Sequence, residues 1–310
     1  MKVSVVNEET PILELKNIRN GVNLYAKFEG CNIFGSMKER AVRNCLLKAF
    51  ENKRINHETE IIESSSGNMG IALASMCNEL GLKFTCVIDP HITQVNRSIL
   101  ECLNAKLIIA DKPDINGGYL LSRLEIVHDY VEKNNNVYWV NQYDNLDIIE
   151  GYYKIADEFC NYIKQIDYMF LTVSSGGSIA GISRRMKEIS KDTKVIAVDV
   201  EGSVIFGYSG KKRYIPGAGS SITASNLEKA IIDDVVIVSE KQAVENCWNY
   251  KNTFGLIGGS SGVVLAGIEK YLSEYEVKPN VNIATIFPDR GERYLNSIYN
   301  IEWCKKCKLI

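Results

Sequence analysis

Lys38 stands in the stretch N-I-F-G-S-M-K-E-R, residues 32–40, between residues 23–28 and residues 41–52. Alternating apolar residues predict a strand over 23–28, and helical periodicity predicts a helix over 41–52. Lys38 is therefore expected at a loop-to-helix junction, where its ammonium faces the unfavourable end of the helix dipole. With some burial, this setting lowers the pKa of the amine and makes it a usable nucleophile. A lone lysine at a helix start is usually an ordinary surface residue, so the other loops of the chain must decide between the two interpretations.

Three loops rich in glycine and serine are each predicted to follow a strand and to open a helix: S-S-S-G-N-M-G at 64–70, S-S-G-G-S at 174–178 and G-G-S-S-G at 258–262. In open α/β sheets, ligands bind at the carboxyl ends of strands. The first loop offers hydroxyls, backbone N–H groups and the Asn68 amide, which can hold a carboxylate. The second offers glycines and a helix start, which suit a phosphate. Each loop alone is also a common kind of strand-to-helix turn.

Two other ligand motifs are excluded by their missing partners. The second loop is not a Walker motif, because Ile182 and Ser183 stand where Lys and Ser or Thr are needed, and its glycine spacing is not G-x-G-x-x-G. The third loop matches the G-x-S-x-G of serine hydrolases. An α/β-hydrolase needs a histidine after the nucleophile, but no histidine follows His128. Ser260 would therefore lack its base.

The elements that must position these loops alternate between strand and helix along nearly the whole chain. Such alternation predicts an α/β protein with parallel sheets. Strands are predicted over residues 23–28, 60–63, 83–88, 106–110, 137–140, 168–173, 194–200, 235–238 and 281–287, and helices over residues 41–52, 69–80, 96–103, 119–133, 148–164, 179–190, 241–251 and 262–273.

Composition favours a globular protein of one large or two medium domains, with 310 residues that are 45% hydrophobic and 24% charged. The net charge of −2 gives no basic footprint for nucleic acid. No apolar run reaches membrane-spanning length, and residues 1–4 do not begin a signal peptide. These features predict a cytoplasmic protein without nucleic-acid or membrane partners.

The nine cysteines are scattered and odd in number, which predicts reduced thiols rather than a disulfide framework. Cys304 and Cys307 form a lone C-x-x-C. A zinc site would need a second pair of ligands, and the three histidines have no suitable spacing. We therefore expect no metal site and ordinary thiols at these two positions.

Taken together, the four stretches resemble the fold type II pyridoxal-phosphate (PLP) enzymes of the cysteine synthase and cystathionine β-synthase group. The family stretch N-x-x-x-S-x-K-[DE]-R carries the Schiff-base lysine, here Lys38. Its S-G-N loop binds the substrate carboxylate and places Asn68 on the ring hydroxyl, its G-T-G-G-T loop binds the phosphate, and Ser260 contacts the pyridine nitrogen. The resemblance implies a cofactor site formed by Lys38, Asn68, Ser174, Ser175, Gly176, Gly177, Ser178 and Ser260.

The likeness extends to both ends of the chain. T-P-I at 10–12 resembles the family's T-P-L, and P-D-R-G-E-R-Y at 288–294 resembles its P-D-S-G-E-R-Y. Serines replace the first glycine and both threonines of the phosphate loop. G-A-G-S at 217–220 matches the family's G-I-G-A, with Ala218 in place of isoleucine.

Within this group the chain is most similar to the siderophore-type enzymes of 2,3-diaminopropionate biosynthesis, which join O-phospho-L-serine to L-glutamate. The residues that carry this are 117–123, 139–143, 202–207 and 287–291. Arg123 would suit a phosphate or a second carboxylate, and its alternative is a solvated helix charge. Tyr143 either closes the pocket or packs against it. The resemblance implies a substrate site formed by Ser65, Ser66, Gly67, Asn68, Met69, Arg123, Gln142, Tyr143 and Gly217.

The implied chemistry is β-replacement. Lys38 holds PLP and, once freed, removes the α-proton as general base, while PLP acts as the electron sink. A serine on the ring nitrogen stabilises ring protonation less than a carboxylate would, which favours prompt loss of a β leaving group. The alternatives are a cysteine synthase, a cysteine desulfidase and a non-catalytic PLP-binding regulator. The intact Lys38 and Ser260 argue against the last.

The resemblance also implies two α/β domains with PLP between them. The smaller domain is predicted over residues 39–141, and the larger over residues 1–38 and 142–310. A homodimer is the usual assembly of the family.

Overall fold

Two β-sheets carry the helices of this protein, and the computed structural model describes residues 9–19, 21–115 and 118–310. Residues 1–4 and Gly117, on which two sequence predictions fall, lie outside the described residues. The six-stranded sheet has the order β1-β2-β10-β7-β8-β9, and the four-stranded sheet has the order β5-β4-β3-β6. The strands are β1 Ile12–Arg19, β2 Val22–Phe28, β3 Glu60–Ser64, β4 Lys83–Ile88, β5 Lys106–Ile109, β6 Val137–Trp139, β7 Tyr168–Thr172, β8 Lys194–Val200, β9 Asp234–Val238 and β10 Asn282–Phe287.

The helices follow the strands in alternation, which confirms the predicted α/β class. Every described strand pair is parallel except β1 with β2. The α-helices are α1 Lys38–Glu51, α2 Asn68–Leu80, α3 Gln94–Cys102, α4 Leu120–Lys133, α5 Leu146–Glu150, α6 Tyr153–Tyr162, α7 Gly177–Ile189, α8 Glu240–Phe254, α9 Gly259–Glu274 and α10 Ile301–Lys306.

Three elements differ from the sequence prediction, one of them the short helix α10, which was not predicted. Strand β1 is not among the predicted strands; it is the antiparallel edge of its sheet, and its register shifts between Leu15 and Arg19. The single helix predicted over 148–164 is wrong, because the chain forms α5 and α6 instead. Gly151 lies where the two helices separate, and a Cβ there would approach the Cα of Ala41 to 2.7 Å. Close packing on α1 therefore shapes this break.

Helix α9 is buried along most of its length between the sheet and α8. Small residues allow this approach: a Cβ on Gly262 would lie 2.2 Å from the Ala243 carbonyl oxygen, and one on Gly267 would lie 2.5 Å from Val198. Such contacts between large side chains would overpack the core. The N-terminal end of α9, which carries Ser260, is thereby fixed against the six-stranded sheet.

The strands of the four-stranded sheet all fall between Glu60 and Trp139, inside the segment predicted as the smaller domain. The boundaries at 38/39 and 141/142 stay a prediction, because strand pairing does not fix where a domain ends. In the part of the chain that the structure describes, no helix is long and apolar enough to cross a membrane.

Candidate active site

Three of the sequence-predicted stretches leave the carboxyl ends of parallel strands. The Lys38 stretch follows β2, the Asn68 loop follows β3, and residues 174–178 follow β7. The third glycine- and serine-rich loop is different from its prediction: residues 258–262 follow α8, not a strand. Its backbone is held instead by an isolated bridge between Ile257 and Arg290.

Direct contacts bring these stretches together around the end of β10. Met37 N–H donates to the Pro288 carbonyl at 2.9 Å. The Asn68 amide donates to Asp289 at 2.7 Å, and Gly258 N–H donates to the Asp289 carbonyl at 3.3 Å. The remaining stretch is tied in through β7, where the hydroxyl of Thr172 donates to the Ser260 carbonyl at 2.9 Å.

The Lys38 amine lies in an enclosed part of this site. No described residue accepts a hydrogen bond from it, and the side chain is half-buried. Burial lowers the pKa of Lys38 from 10.5 to about 8, while the nearby carboxylate of Glu63 opposes this change. A neutral amine is therefore accessible near neutral pH, as a nucleophile or a general base requires.

The polar residues around Lys38 hold its loop rather than face the cleft. Asn32 donates to the Glu29 carboxylate at 2.8 Å, and Arg40 donates to Glu29 at 2.7 Å. Glu39 accepts the N–H of Phe34 at 2.8 Å. These bonds explain why the stretch carries Asn, Glu and Arg at fixed distances from the lysine: they fix the turn that directs Lys38.

The two serine hydroxyls predicted to bind substrate already have protein partners. The Ser65 hydroxyl accepts the N–H groups of Gly67 at 3.3 Å and Gly70 at 3.0 Å. The Ser66 hydroxyl donates to Asp89 at 2.9 Å. Helix α2 starts at Asn68. Its first N–H groups lack intrahelical acceptors; that of Gly70 is satisfied by Ser65, whereas those of Asn68 and Met69 have no acceptor among the described residues. These N–H groups are the donors that the loop offers to a carboxylate.

Gly67 borders open space. A Cβ there would meet nothing within 4 Å, so packing does not require a glycine. A position without a side chain lets a ligand approach the backbone closely.

The 174–178 loop offers a second uncapped helix start. Helix α7 begins at Gly177 without a side-chain cap, and the Ser174 hydroxyl donates to the Gly219 carbonyl at 3.0 Å. Gly176 has φ +78°, and a Cβ on it would lie 2.8 Å from the backbone nitrogen of Leu227. This glycine is thus required by the turn itself. Ser175 is buried with its carbonyl near Asn226, and Ser178 is half-buried in the first turn of the helix.

Ser260 is buried at the start of α9, which has no side-chain cap. Gly217, also predicted to lie near the substrate, is exposed with φ +82°, and a Cβ there would meet nothing within 4 Å. Ser260 lies beside the end of β7, and Gly217 lies two residues before Gly219, whose carbonyl accepts a hydrogen bond from Ser174. The roles predicted for both residues stay predictions.

Arg123 lies against the substrate loop, not on a solvated helix face. Its side chain is 13% exposed and forms an ion pair with Asp89 at 3.0 Å. It also donates to the Ser66 hydroxyl at 2.9 Å. Its Nε is buried and has no hydrogen-bond partner among the described residues. Arg123 therefore brings a positive charge to the substrate loop and keeps one N–H donor, on Nε, for a ligand.

Gln142 and Tyr143 border the same region. The Gln142 side chain donates to the Ser64 carbonyl at 2.9 Å. Burial raises the pKa of Tyr143 to about 12, which keeps its phenol neutral, and Arg123 and Glu63 act on it electrostatically. Gln142 therefore supports the substrate loop, while Tyr143 offers a neutral hydroxyl.

Three residues with central contacts were not predicted from the sequence. Glu63 is fully buried and accepts the N–H groups of Ser64 at 2.7 Å and Gln142 at 3.0 Å. Asn226 donates to the Gln142 carbonyl at 2.8 Å. Asp289 lies in the matched stretch 288–294, but no function was predicted for it. A carboxylate at the end of a buried strand was a signal for Glu63, whereas Asn226 had none.

A desolvated lysine and two helix starts with free N–H groups follow the carboxyl ends of parallel strands. This arrangement suits an anionic ligand that reacts with an amine. The chain belongs to the family described as pyridoxal-phosphate dependent enzyme, which it matches over residues 3–289. It is therefore a PLP-dependent enzyme, as the resemblance implied.

Solved structures of similar fold cover nearly the whole chain. One is the O-acetylserine dependent cystathionine beta-synthase from Helicobacter pylori, with a TM-score of 0.87 and 27% identity over 94% of this chain and 96% of that chain. Another is a hydrogen sulfide-producing enzyme from Fusobacterium nucleatum, with a TM-score of 0.84 and 24% identity over 92% of this chain and 96% of that chain. A third is O-ureido-L-serine synthase, with a TM-score of 0.82 and 22% identity over 93% of this chain and 91% of that chain. The last two show the fold alone.

The residues present fit PLP. The Lys38 amine is unpartnered among the described residues and can react with the cofactor aldehyde. The start of α7 can bind the phosphate through backbone N–H groups. Asn68 and Ser260 offer an amide for the ring hydroxyl and a hydroxyl for the ring nitrogen. The individual assignments stay predictions, but nothing in the donor set conflicts with the group.

Proposed function

We propose that the protein catalyses β-replacement on O-phospho-L-serine with the amine of L-glutamate, giving N-(2-amino-2-carboxyethyl)-L-glutamate, a precursor of 2,3-diaminopropionate in siderophore biosynthesis. The Cβ–O bond of phosphoserine breaks and inorganic phosphate leaves. A Cβ–N bond to glutamate forms, and the amine loses a proton. The observation that carries the proposal is the Arg123 guanidinium against the loop that starts α2.

Each step of this reaction is assigned to particular residues of the site. The first N–H groups of α2 bind the carboxylate of the serine substrate. The bound cofactor supplies the electron sink for loss of the α-proton. The Lys38 amine accepts this proton at Nζ and returns it to Cα after the Cβ–N bond has formed; its pKa of about 8 leaves roughly a tenth of the amine neutral at pH 7 and more at higher pH. Tyr143 closes the pocket and limits the access of water.

Two observations support an O-activated serine as the first substrate. The similar enzyme from Helicobacter pylori is described as O-acetylserine dependent, at 27% identity over nearly the full chain. Arg123 adds a cation beside the loop, and a guanidinium pairs with phosphate or carboxylate through parallel hydrogen bonds. Phosphate as leaving group and the extra carboxylate of glutamate both suit such a cation.

The direct test is product analysis. The holoenzyme is incubated with O-phospho-L-serine and either glutamate, sulfide, ammonia or water alone, and the products are identified by mass spectrometry. We expect the glutamate adduct together with stoichiometric phosphate. If sulfide gives cysteine and glutamate gives no adduct, the enzyme is a cysteine synthase. Pyruvate and ammonia from phosphoserine without any second substrate would identify a lyase, and either result would overturn the proposal.

Arg123 can be tested with Asp89→Asn as the matched variant. Arg123→Ala should raise the KM for phosphoserine or glutamate strongly, since truncating one partner of a buried, hydrogen-bonded charge pair costs about 2–5 kcal/mol. Asp89→Asn removes the competing carboxylate and leaves the cation, so it should keep anion binding or improve it. If the two variants are impaired equally, Arg123 and Asp89 merely hold Ser66 in place. Absorbance of the bound cofactor serves as the control for intact loading.

A further inference from the structure

Asp289 contacts three of the four stretches that form the site. It follows β10, which lies between β2 and β7 in the sheet. It forms an isolated bridge with Ser36, in the Lys38 stretch. Its carboxylate accepts the Asn68 amide, and its carbonyl accepts Gly258 N–H. One aspartate thus joins the lysine, the substrate loop and the start of α9.

The chain leaves room for this carboxylate. A Cβ on Gly258 would lie 1.7 Å from Asp289 Oδ1, a distance at which the two cannot coexist. Asp289 is 1% exposed, and its Oδ1 has no hydrogen-bond partner among the described residues. Keeping a buried, partly unpaired carboxylate costs stability. Its contacts therefore need a reason beyond packing.

The reason lies in the two ends of the Asn68 amide. Its Nδ2 donates to Asp289 at 2.7 Å, and its Oδ1 accepts from Arg293 Nη1. Arg293 also donates to the Phe34 carbonyl at 3.1 Å, and Tyr294 donates to Asp289 Oδ2. A flipped amide would place oxygen against carboxylate and N–H against guanidinium. Only one orientation of Asn68 is thus compatible with its neighbours.

We propose that Asp289 and Arg293 are positioning residues that fix the Asn68 amide for contact with the cofactor. An amide nitrogen carries two hydrogens, and Asp289 accepts one of them. The second stays available as a donor to the ring hydroxyl. The inference rests on the contact proposed for Asn68, and not on the identity of either substrate. Tyr294 and Gly258 support Asp289 in this arrangement.

The test measures the cofactor without any substrate. Asn68→Ala, Asp289→Ala and Arg293→Met are loaded with PLP, and the absorbance of the bound cofactor is titrated with pH. Each variant should alter the spectrum or its pH midpoint. Each should also lower PLP affinity about tenfold, because the hydrogen bond from the Asn68 amide to the ring hydroxyl of the cofactor is lost or misdirected. Arg293→Met keeps the buried aspartate and serves if Asp289→Ala does not fold.

A double variant separates positioning from general destabilisation. If Asp289 acts through Asn68, Asp289→Ala should change the spectrum no further in the Asn68→Ala background. Glu292→Gln is the control, because Glu292 lies in the same segment but is exposed and pairs with Arg290; its spectrum should match wild type. An effect of Asn68→Ala with none from either Asp289→Ala or Arg293→Met would overturn the inference. An unchanged Asn68→Ala spectrum would refute the Asn68 contact itself, and with it this inference, while leaving the substrate test unaffected.

Discussion

At the scale of single residues, Lys38 and Glu63 set the protonation of the site together. Burial lowers the pKa of Lys38 to about 8 and raises that of Glu63 to about 7. Ionised Glu63 favours the ammonium form of Lys38, and hydrogen bonds from Ser64 and Gln142 favour ionised Glu63. The charge of Glu63 therefore influences the protonation of the Lys38 amine.

Attachment of PLP to the apo-enzyme should therefore depend on pH with a midpoint near 8, because only the neutral amine attacks an aldehyde. The rate should fall as the pH drops through this value and level off above it. Stopped-flow absorbance of apo-enzyme mixed with PLP measures this profile. A midpoint near 10.5, the ordinary lysine value, would show that the amine is not desolvated.

Glu63→Gln should move this midpoint to lower pH. At pH 8 Glu63 is ionised, so its removal takes away the charge that stabilises the ammonium. Glu60→Gln is the matched control, since Glu60 lies three residues earlier on the same strand and is only half-buried. A midpoint that moves equally in both variants would contradict a specific role for Glu63.

At the scale of elements, the prediction that the start of α7 binds the cofactor phosphate can be tested most cleanly at Ser178. Substitution of Gly176 is unsuitable, because φ +78° and the nearby Leu227 backbone would strain the loop without any ligand. Ser178→Asp places a carboxylate in the first turn, where it stabilises the helix itself. The same carboxylate repels a phosphate.

Ser178→Asp should therefore weaken PLP binding at least about tenfold, since like charges about 4 Å apart in a site of effective dielectric constant near 20 repel by several kcal/mol. Its thermal stability without cofactor should equal or exceed that of wild type. Fluorescence titration of the apo-enzyme measures the affinity. Pyridoxal, which lacks the phosphate, is the control ligand and should bind both proteins equally; an equal loss for both ligands would place the phosphate elsewhere.

At the scale of the whole molecule, a buried group of four charges joins the end of β2 to α1 and α6. Lys27 is fully buried and pairs with Glu158 at 2.6 Å. Arg40 pairs with Glu158 at 2.6 Å and with Glu29 at 2.7 Å. Thr10 donates to Glu29 at 2.6 Å. Two cations and two carboxylates therefore balance beneath the Lys38 loop.

Arg40→Met should lower the free energy of unfolding by about 3–5 kcal/mol, because it leaves two buried carboxylates with one lysine. Chemical denaturation of wild type and variant measures the difference. Arg97→Met is the control: it breaks the exposed pair with Glu101, whose side chains are 44% and 48% exposed, and such pairs contribute about 0.3–0.5 kcal/mol. Equal losses in the two variants would contradict a special role for the buried group.

Local sequence patterns were enough to predict much of the architecture. The alternation of strands with helices predicted the parallel sheets, and the strand predicted over 83–88 coincides with β4. The stretch around Lys38 predicted a loop-to-helix junction, and α1 begins at Lys38. These features depend on neighbouring residues along the chain, so the sequence contains their signals. The edge strand β1 and the break between α5 and α6 depend on distant packing, and were missed.

What the sequence determined by itself is the set of chemical groups: the lysine, the glycine- and serine-rich helix starts, and the α/β pattern that carries them. The tertiary structure decided which of these groups stay available to a ligand. In the folded chain the hydroxyls of Ser65 and Ser66 form hydrogen bonds with other protein groups, and Arg123 pairs with Asp89. Asn68 contacts Asp289 across 221 residues of sequence. The last contact exists because β10, near the end of the chain, pairs between β2 and β7. No local pattern contains that pairing, since it results from the packing of the whole sheet.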